Sequence, residues 1–262
     1  MCLIIFAYRA HPGYHLLMAS NRDEFHRRPT APAAFWADRP GLLAGRDLEA
    51  GGTWMGITRG GRFAAITNYR DPSRAAVTAR RSRGELTLNW LTSEQPAAQW
   101  LARQQVDESE YAGFNLLFGD RDGLWYWSNS NRERGDHGGT RRLAPGLYGL
   151  SNASLDTPWP KVELGKAHLR TLLDGEVDHT RLLAAVADRR LADESALHPL
   201  GLREVMDRQL SAQFIDAGPY GTRSSTTLLW GNDGSVRWRE LSYRAGGAPG
   251  GERTAAFTVT VA

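Results

Sequence analysis

Cysteine occurs once in this chain of 262 residues, and lysine only twice, at Lys161 and Lys166. A single thiol excludes an intramolecular disulfide framework and any cysteine-based metal cluster, and it suits a reducing compartment, so a cytoplasmic location is expected. Long apolar runs are also missing. The stretch from Cys2 to Tyr8 has no basic leading segment and is broken by Arg9, too short for a signal h-region or a membrane span, so no integral membrane association is expected. No G-x-G-x-x-G sits between a strand and a helix, and GRDLEAGGTW lacks the Gly-Lys-Ser/Thr ending of a phosphate loop. Nicotinamide and nucleotide-phosphate chemistry are therefore unsupported. The seven histidines, His11, His15, His26, His137, His168, His179 and His198, form no H-E-x-x-H motif, and no metal site is expected. The nucleophile elbow G-x-S-x-G is absent. A serine triad need only meet in space, and the best-placed serines, Ser151, Ser224 and Ser225, lie in strand-like or turn contexts.

The formal net charge is +3, and all but two of the basic side chains are arginine. A nucleic-acid surface calls for a basic stripe interleaved with aromatics. The nearest approach is ARRSRGE, Ala79 to Glu85, which reads as a solvated charge run, so no nucleic-acid partner is expected. What the chain does have is apolar bulk. It is 41% hydrophobic with nine tryptophans, enough for a substantial core in a single domain spanning residues 1–262.

Short apolar runs separated by turn signals predict strands. CLIIFAY (Cys2 to Tyr8) and YHLLMASN (Tyr14 to Asn21) flank Pro12 and Gly13; TWMGIT (Thr53 to Thr58) and RFAAITN (Arg62 to Asn68) flank RGG; FNLLFGD (Phe114 to Asp120) and LWYWSNS (Leu124 to Ser130) flank RDG. RSSTTLLW and SVRWREL bracket GNDG, and AAFTVTV (Ala256 to Val261) ends the pattern. The first run is apolar on both alternate faces and so is expected to be covered on both. Helical spacing marks two blocks, about Gly84 to Gln105 and about Pro160 to Phe214. RAGGAPGGER, Arg244 to Arg253, reads as a flexible Gly/Pro loop. Strands and helices in this order imply an α+β fold, and two sheets packed face to face with helices outside account for strands apolar on both sides.

Cys2 is the most informative position. When the second residue is small, the initiator methionine is normally excised, which leaves a thiol and a free α-amine on the same residue. The amine, with an ordinary pKa of about 7.7–8, serves as a general base without a histidine partner. A thiol of about 8.5 is expected to fall beside an arginine. The competing reading makes Cys2 a buried strand residue, the commonest fate of a free cysteine.

Five stretches, SNRDEF (Ser20 to Phe25), GGTWMGIT, GRFAAITNYRDP, YGLSNASLDTPWPKV and YGTRSSTTLLW, occur in that order after MCLIIFAY. Together they resemble the NRDE family, named for its Asn-Arg-Asp-Glu motif, whose eukaryotic members are called Transport and Golgi organisation protein 2. That family is similar to the N-terminal nucleophile hydrolases of the cholylglycine hydrolase and penicillin V acylase group. The resemblance implies a four-layer αββα sandwich of two mainly antiparallel sheets and a cysteine nucleophile acting on an amide, or a thioester, of a small acyl substrate. By the same resemblance Cys2 matches the nucleophile, and Arg22 and Asp23 match the pair that flanks the thiol and holds the amine. Asn68 and Asn152 match the two asparagines of the site, Asn68 serving the oxyanion hole, and Arg223 matches the late arginine. The hydrolases space their arginine and aspartate as Arg-x-x-Asp, whereas here Arg22 and Asp23 are adjacent and Glu24 follows, so either carboxylate is available to the amine. Each of these residues alone also suits a cap, a turn or a structural ion pair.

The chemistry implied needs neither metal nor organic cofactor. A second function stays open: a binding or trafficking protein that keeps the fold without turnover and carries an apolar ligand such as haem, acyl-CoA or lipid. Trp-rich segments such as LWYWSNS suit either an apolar cleft or a core, and haem needs an axial ligand that no histidine here stands out to supply. The two readings part at the N-terminus. Intact-mass measurement of the natively expressed protein is expected to show Met1 removed, and a retained methionine would favour the carrier.

Overall fold

The computed structural model describes residues 2–70, 79–103, 106–129 and 139–260. Met1 lies outside them, as do Ser130 and residues 104–105 and 261, where the expected ends of a strand, a helix and the last strand fall. The chain divides into two compact units: residues 1–28 with 145–257, and residues 29–144 with 258–262. Each contains one antiparallel sheet. No described helix is long and apolar enough to cross a membrane.

In the first unit the sheet runs β10 (Gly146–Leu150), β1 (Cys2–His11), β2 (Tyr14–Phe25), β12 (Tyr220–Gly231), β13 (Ser235–Tyr243) and β14 (Pro249–Thr258), with the short β11 (Asp216–Ala217) on β12. β1 and β2 form the hairpin expected around Pro12 and Gly13. Leu3 through Tyr8 are all buried, so β1 is covered on both faces as its sequence predicts. One face packs on the helices: Leu3, Ile5, Ala7, Leu17, Ala19 and Leu229 share a core with Trp159, Val162, Leu169, Leu182 and Val186. The main helix there is α3 (Pro160–Leu172), with Pro160 at its first turn, where a missing N–H costs nothing. Beyond it the expected helical block breaks into short pieces, α4 (His179–Leu183), α5 (Glu194–Leu197) and α6 (Val205–Gln209). The ADRR segment leaves the helix because its backbone bonds elsewhere: Asp188 accepts from Phe214 N at 2.9 Å and its own N–H goes to Gln213 Oε1.

The second unit orders its strands as β3 (Thr30–Trp36), β4 (Arg39–Asp47), β5 (Met55–Thr58), β6 (Phe63–Asn68), β7 (Phe114–Gly119), β8 (Leu124–Ser128) and β9 (Gly139–Arg142). Its helices are α1 (Gly84–Leu91) and α2 (Ala97–Arg103). Trp90, Trp100, Phe114, Phe118 and Trp127 form one aromatic core, so LWYWSNS supplies packing here. Within the ARRSRGE run Arg81 pairs with Glu85 and Glu110, and Arg83 donates to Gly113 O.

Two departures from the sequence reading have clear causes. The β3–β4 hairpin is invisible in an alanine-rich stretch, and Pro32 sits where the register slips between Ala31 and Ala34 on an edge strand, the place a sheet tolerates proline. RAGGAPGGER is not a loop throughout. It turns at Gly246 and Gly247, both with positive φ, and then enters β14, where the Arg239–Glu252 ion pair at 2.9 Å ties it to β13. Pairing with an available sheet edge overrides weak intrinsic strand preference.

α3 comes close to β1 because glycines permit it. A Cβ on Gly165 would lie 2.6 Å from Ile5 Cγ1 and 2.8 Å from Ala185 O, and one on Gly149 would lie 2.4 Å from Val162 Cγ1. Gly165→Ala gains up to about 1 kcal/mol of helix propensity but overpacks an interface at a cost of about 1–3 kcal/mol. Net destabilisation of roughly 1 kcal/mol is expected in urea unfolding, and a stabilised variant would show that α3 is not held this close.

Candidate functional site

The register of three strands builds the site. Cys2 opens β1 directly opposite Arg22 of β2, and Arg22 lies opposite Ser224 of β12. Residues directly opposite share a face, so Cys2, Arg22 and Ser224 stand on one side of the sheet, while Asn21 and Asp23 face the helices. Between Thr222 and Ser224 the register shifts, a bulge with Arg223 as the extra residue. It lets Thr222 donate from Oγ1 to Asp23 Oδ1 at 2.7 Å and Ser225 donate from Oγ to Asn21 Oδ1 at 2.6 Å.

Cys2 is half-buried, and its backbone is clamped from the segment after β10. Its nitrogen donates to Asn152 Oδ1 at 3.2 Å, and Ser151 Oγ donates to its carbonyl at 2.9 Å. That segment is itself fixed. Asp156, in the left-handed region at φ 63°, accepts from Gly149 N at 2.9 Å and from Lys166 Nζ at 2.8 Å. Ser151, weighed in the sequence as a serine nucleophile, thus serves the cysteine.

Burial pushes the Cys2 thiol up, and the Asp23 carboxylate adds to the rise; the Asp23 backbone N–H and the Arg22 guanidinium oppose it without prevailing. This reverses the depressed thiol expected from a neighbouring arginine, because desolvation outweighs the cation. Burial likewise raises Asp23, against the pull of Lys161, the Thr222 hydroxyl and Arg22. Asp23 therefore is the carboxyl whose charge acts on Cys2, although its side chain lies on the other face of the sheet. Glu24 turns aside: Oε1 accepts from Phe25 N, and its charge acts on Arg223.

Of the six expected residues, Cys2, Arg22, Asp23 and Asn152 come together. Arg223 is spent on backbone, its Nη1 donating to Phe25 O at 2.9 Å and Arg28 O at 3.1 Å. Asn68 belongs to the second unit, where it is exposed at the end of β6 opposite Phe114.

The geometry stands beside clear likenesses. A family model described as Transport and Golgi organisation 2 matches residues 1–245. The chain belongs to the Transport and Golgi organisation 2 family. The family's bovine homologue is 38% identical over 92% of this chain and 93% of its own length. The human homologue is 34% identical with the same coverage. Among solved structures, the Caenorhabditis elegans N-acylethanolamine-hydrolyzing acid amidase orthologue aligns at a TM-score of 0.53 and 9% identity, over 87% of this chain and 92% of that one. That likeness shows the fold: an α+β arrangement with two mainly antiparallel sheets, as the motif order implied.

One residue of the site escaped the sequence reading. Asn21, 1% exposed, donates from Nδ2 to Val186 O at 2.7 Å and Gln213 O at 2.8 Å, locking β2 to the helical side. The SNRDEF motif contained it, but its partners lie far along the chain. Asn21→Ala would leave two buried carbonyls without that donor, and a loss of about 2–4 kcal/mol is expected in urea unfolding; a loss below about 1 kcal/mol would mean that other groups fasten β2.

Proposed function

We propose that this protein is an N-terminal cysteine amidohydrolase that cleaves the C–N amide of a small acyl substrate, with a thioester open to the same chemistry. The observation that carries the reading is the clamp on Cys2: Asn152 holds its nitrogen at 3.2 Å while Ser151 holds its carbonyl at 2.9 Å. Removal of Met1 converts that nitrogen from a peptide N–H into the α-amine the mechanism needs. Likeness in fold to an amidase supports the same class, and fatty N-acyl amides such as N-acylethanolamines are a rational first panel.

A thiol that resists ionisation requires a base at the moment of attack, which the α-amine supplies. The amine takes the thiol proton as sulfur bonds to the acyl carbon, and the carbonyl π electrons move to oxygen. The amide of Asn152, whose oxygen holds the Cys2 nitrogen, is the donor assigned to stabilise that oxygen. Collapse breaks the C–N bond, and the leaving nitrogen takes the proton from the ammonium. Water, giving a proton to the free amine, then attacks the thioester; acid leaves and the thiol is restored. Because the amine must be neutral to start, the rate is expected to rise with pH through about 7.7–8.

The test is acid release from the N-acyl panel by protein of verified N-terminus, with an electrophilic acyl probe followed by mass spectrometry. Expected are a probe adduct on Cys2, its loss in Cys2→Ala, and a fall in kcat of about 10²–10³ in Asn152→Ala. Turnover that survives in Cys2→Ala, or a native protein that keeps Met1, would overturn the proposal in favour of an apolar-ligand carrier of the same fold.

A further inference from the structure

β12 carries five serine and threonine side chains, Thr222, Ser224, Ser225, Thr226 and Thr227. Four have partners. Thr222 Oγ1 donates to Asp23 Oδ1 at 2.7 Å, Ser225 Oγ to Asn21 Oδ1 at 2.6 Å and Thr226 Oγ1 to Glu240 Oε2 at 3.4 Å, while Thr227 Oγ1 meets His179 Nδ1 at 2.8 Å. Ser224 differs: it is 5% exposed, and no hydrogen-bonding group of the described residues meets its Oγ. A buried hydroxyl in that condition costs folding free energy and calls for a cause.

The backbone is bent to put it there. Thr222 stands opposite Asp23 and Ser225 opposite Asn21, so two residues of β12 span the one position of β2 held by Arg22. Arg223 turns its guanidinium to Phe25 O and Arg28 O. Ser224 takes the place opposite Arg22, which itself lies opposite Cys2. The bulge therefore sets this hydroxyl on the same face and the same cross-strand row as the sulfur, and re-aiming a side chain beside a site is a common use of a bulge. Two strand spacings of about 4.8 Å separate the two side chains by about 10 Å. A reacting carbon about 3–3.5 Å from sulfur, and a hydrogen bond of about 2.8 Å to Oγ, leave roughly 4 Å between them. Three covalent bonds reach about 3.8 Å, as between successive Cα atoms.

We propose that Ser224 is a specificity-determining residue of the Cys2 site: its hydroxyl donates to an oxygen that the ligand carries three or four bonds from the carbon facing the sulfur. A ligand with carbon in that place leaves the hydroxyl unpaired and is rejected for it. That an acyl carbon faces the sulfur rests on the amidohydrolase reading; discrimination by Ser224 is a matter of binding and is measured apart from turnover.

The test uses Cys2→Ala protein, which binds without acylation, and three amides: N-propyl decanamide, N-hydroxyethyl decanamide and the N-propyl amide of γ-oxodecanoic acid. The last two carry oxygen on the amine side and on the acyl side. One of them is expected to bind about tenfold or more tighter than the propyl parent, and which one it is tells on which side of the scissile bond Ser224 lies. Adding Ser224→Ala should reduce that preference to about twofold or less. In the otherwise native protein without ligand, Ser224→Ala is expected to leave Tm unchanged or raise it by about 2–4 °C, because no bond is lost. Ser225→Ala, which removes a bonded hydroxyl, should lower it. Equal affinities for all three amides, binding of none, a preference that survives Ser224→Ala, or a Ser224→Ala protein that is destabilised or fails to fold would overturn the inference. Failure of acid release with this discrimination intact would sink the amidohydrolase reading only.

Discussion

The site depends first on the buried amide of Asn21. Its two N–H donors meet two backbone carbonyls, Val186 O and Gln213 O, and its oxygen takes the Ser225 hydroxyl. An amide so enclosed is favourable only when every one of these bonds is made, because an orphaned polar group in the interior costs more than a satisfied one contributes. The bonds therefore fix the rotation of β2, the distance to the helical side and the register with β12 together. Arg22 and Asp23 inherit their directions from that anchor by simple strand alternation.

Cys2 is placed by a second, local constraint. A strand that begins at the second residue would ordinarily fray, since a terminus has few partners. Here the carbonyl and nitrogen of Cys2 are each held, by Ser151 and Asn152. The segment bearing them is pinned through Asp156 by Lys166. One of the chain's two lysines thus serves this arrangement, through an ion pair in which the lysine is 15% exposed.

Electrostatics at this site are governed by burial before charge. Both Cys2 and Asp23 are pushed toward their neutral forms although cations stand nearby. A neutral resting thiol beside a carboxyl of contested charge is a poor spontaneous nucleophile. It is suited to a reaction in which a base acts only when a substrate is in place, which is the service a terminal amine gives. The same burial excludes water and strengthens each remaining interaction.

The sequence by itself determined most of the strands, because period-two apolar runs between turn residues carry their own signal, and it singled out Cys2, Arg22, Asp23 and Asn152 through ordered motifs. It missed β3 and β4, where alanine and an edge proline hide the pattern, and the short β9, β10 and β11, and it misjudged Arg244 to Arg253, where pairing comes from the neighbouring strand. Only the tertiary structure decided which carboxyl acts on the thiol, which way burial moves its proton, and that Asn21 anchors the site. The anchoring of Asn21 rests on contacts with residues more than a hundred positions away in the chain, and the thiol's proton on desolvation, which no local pattern encodes.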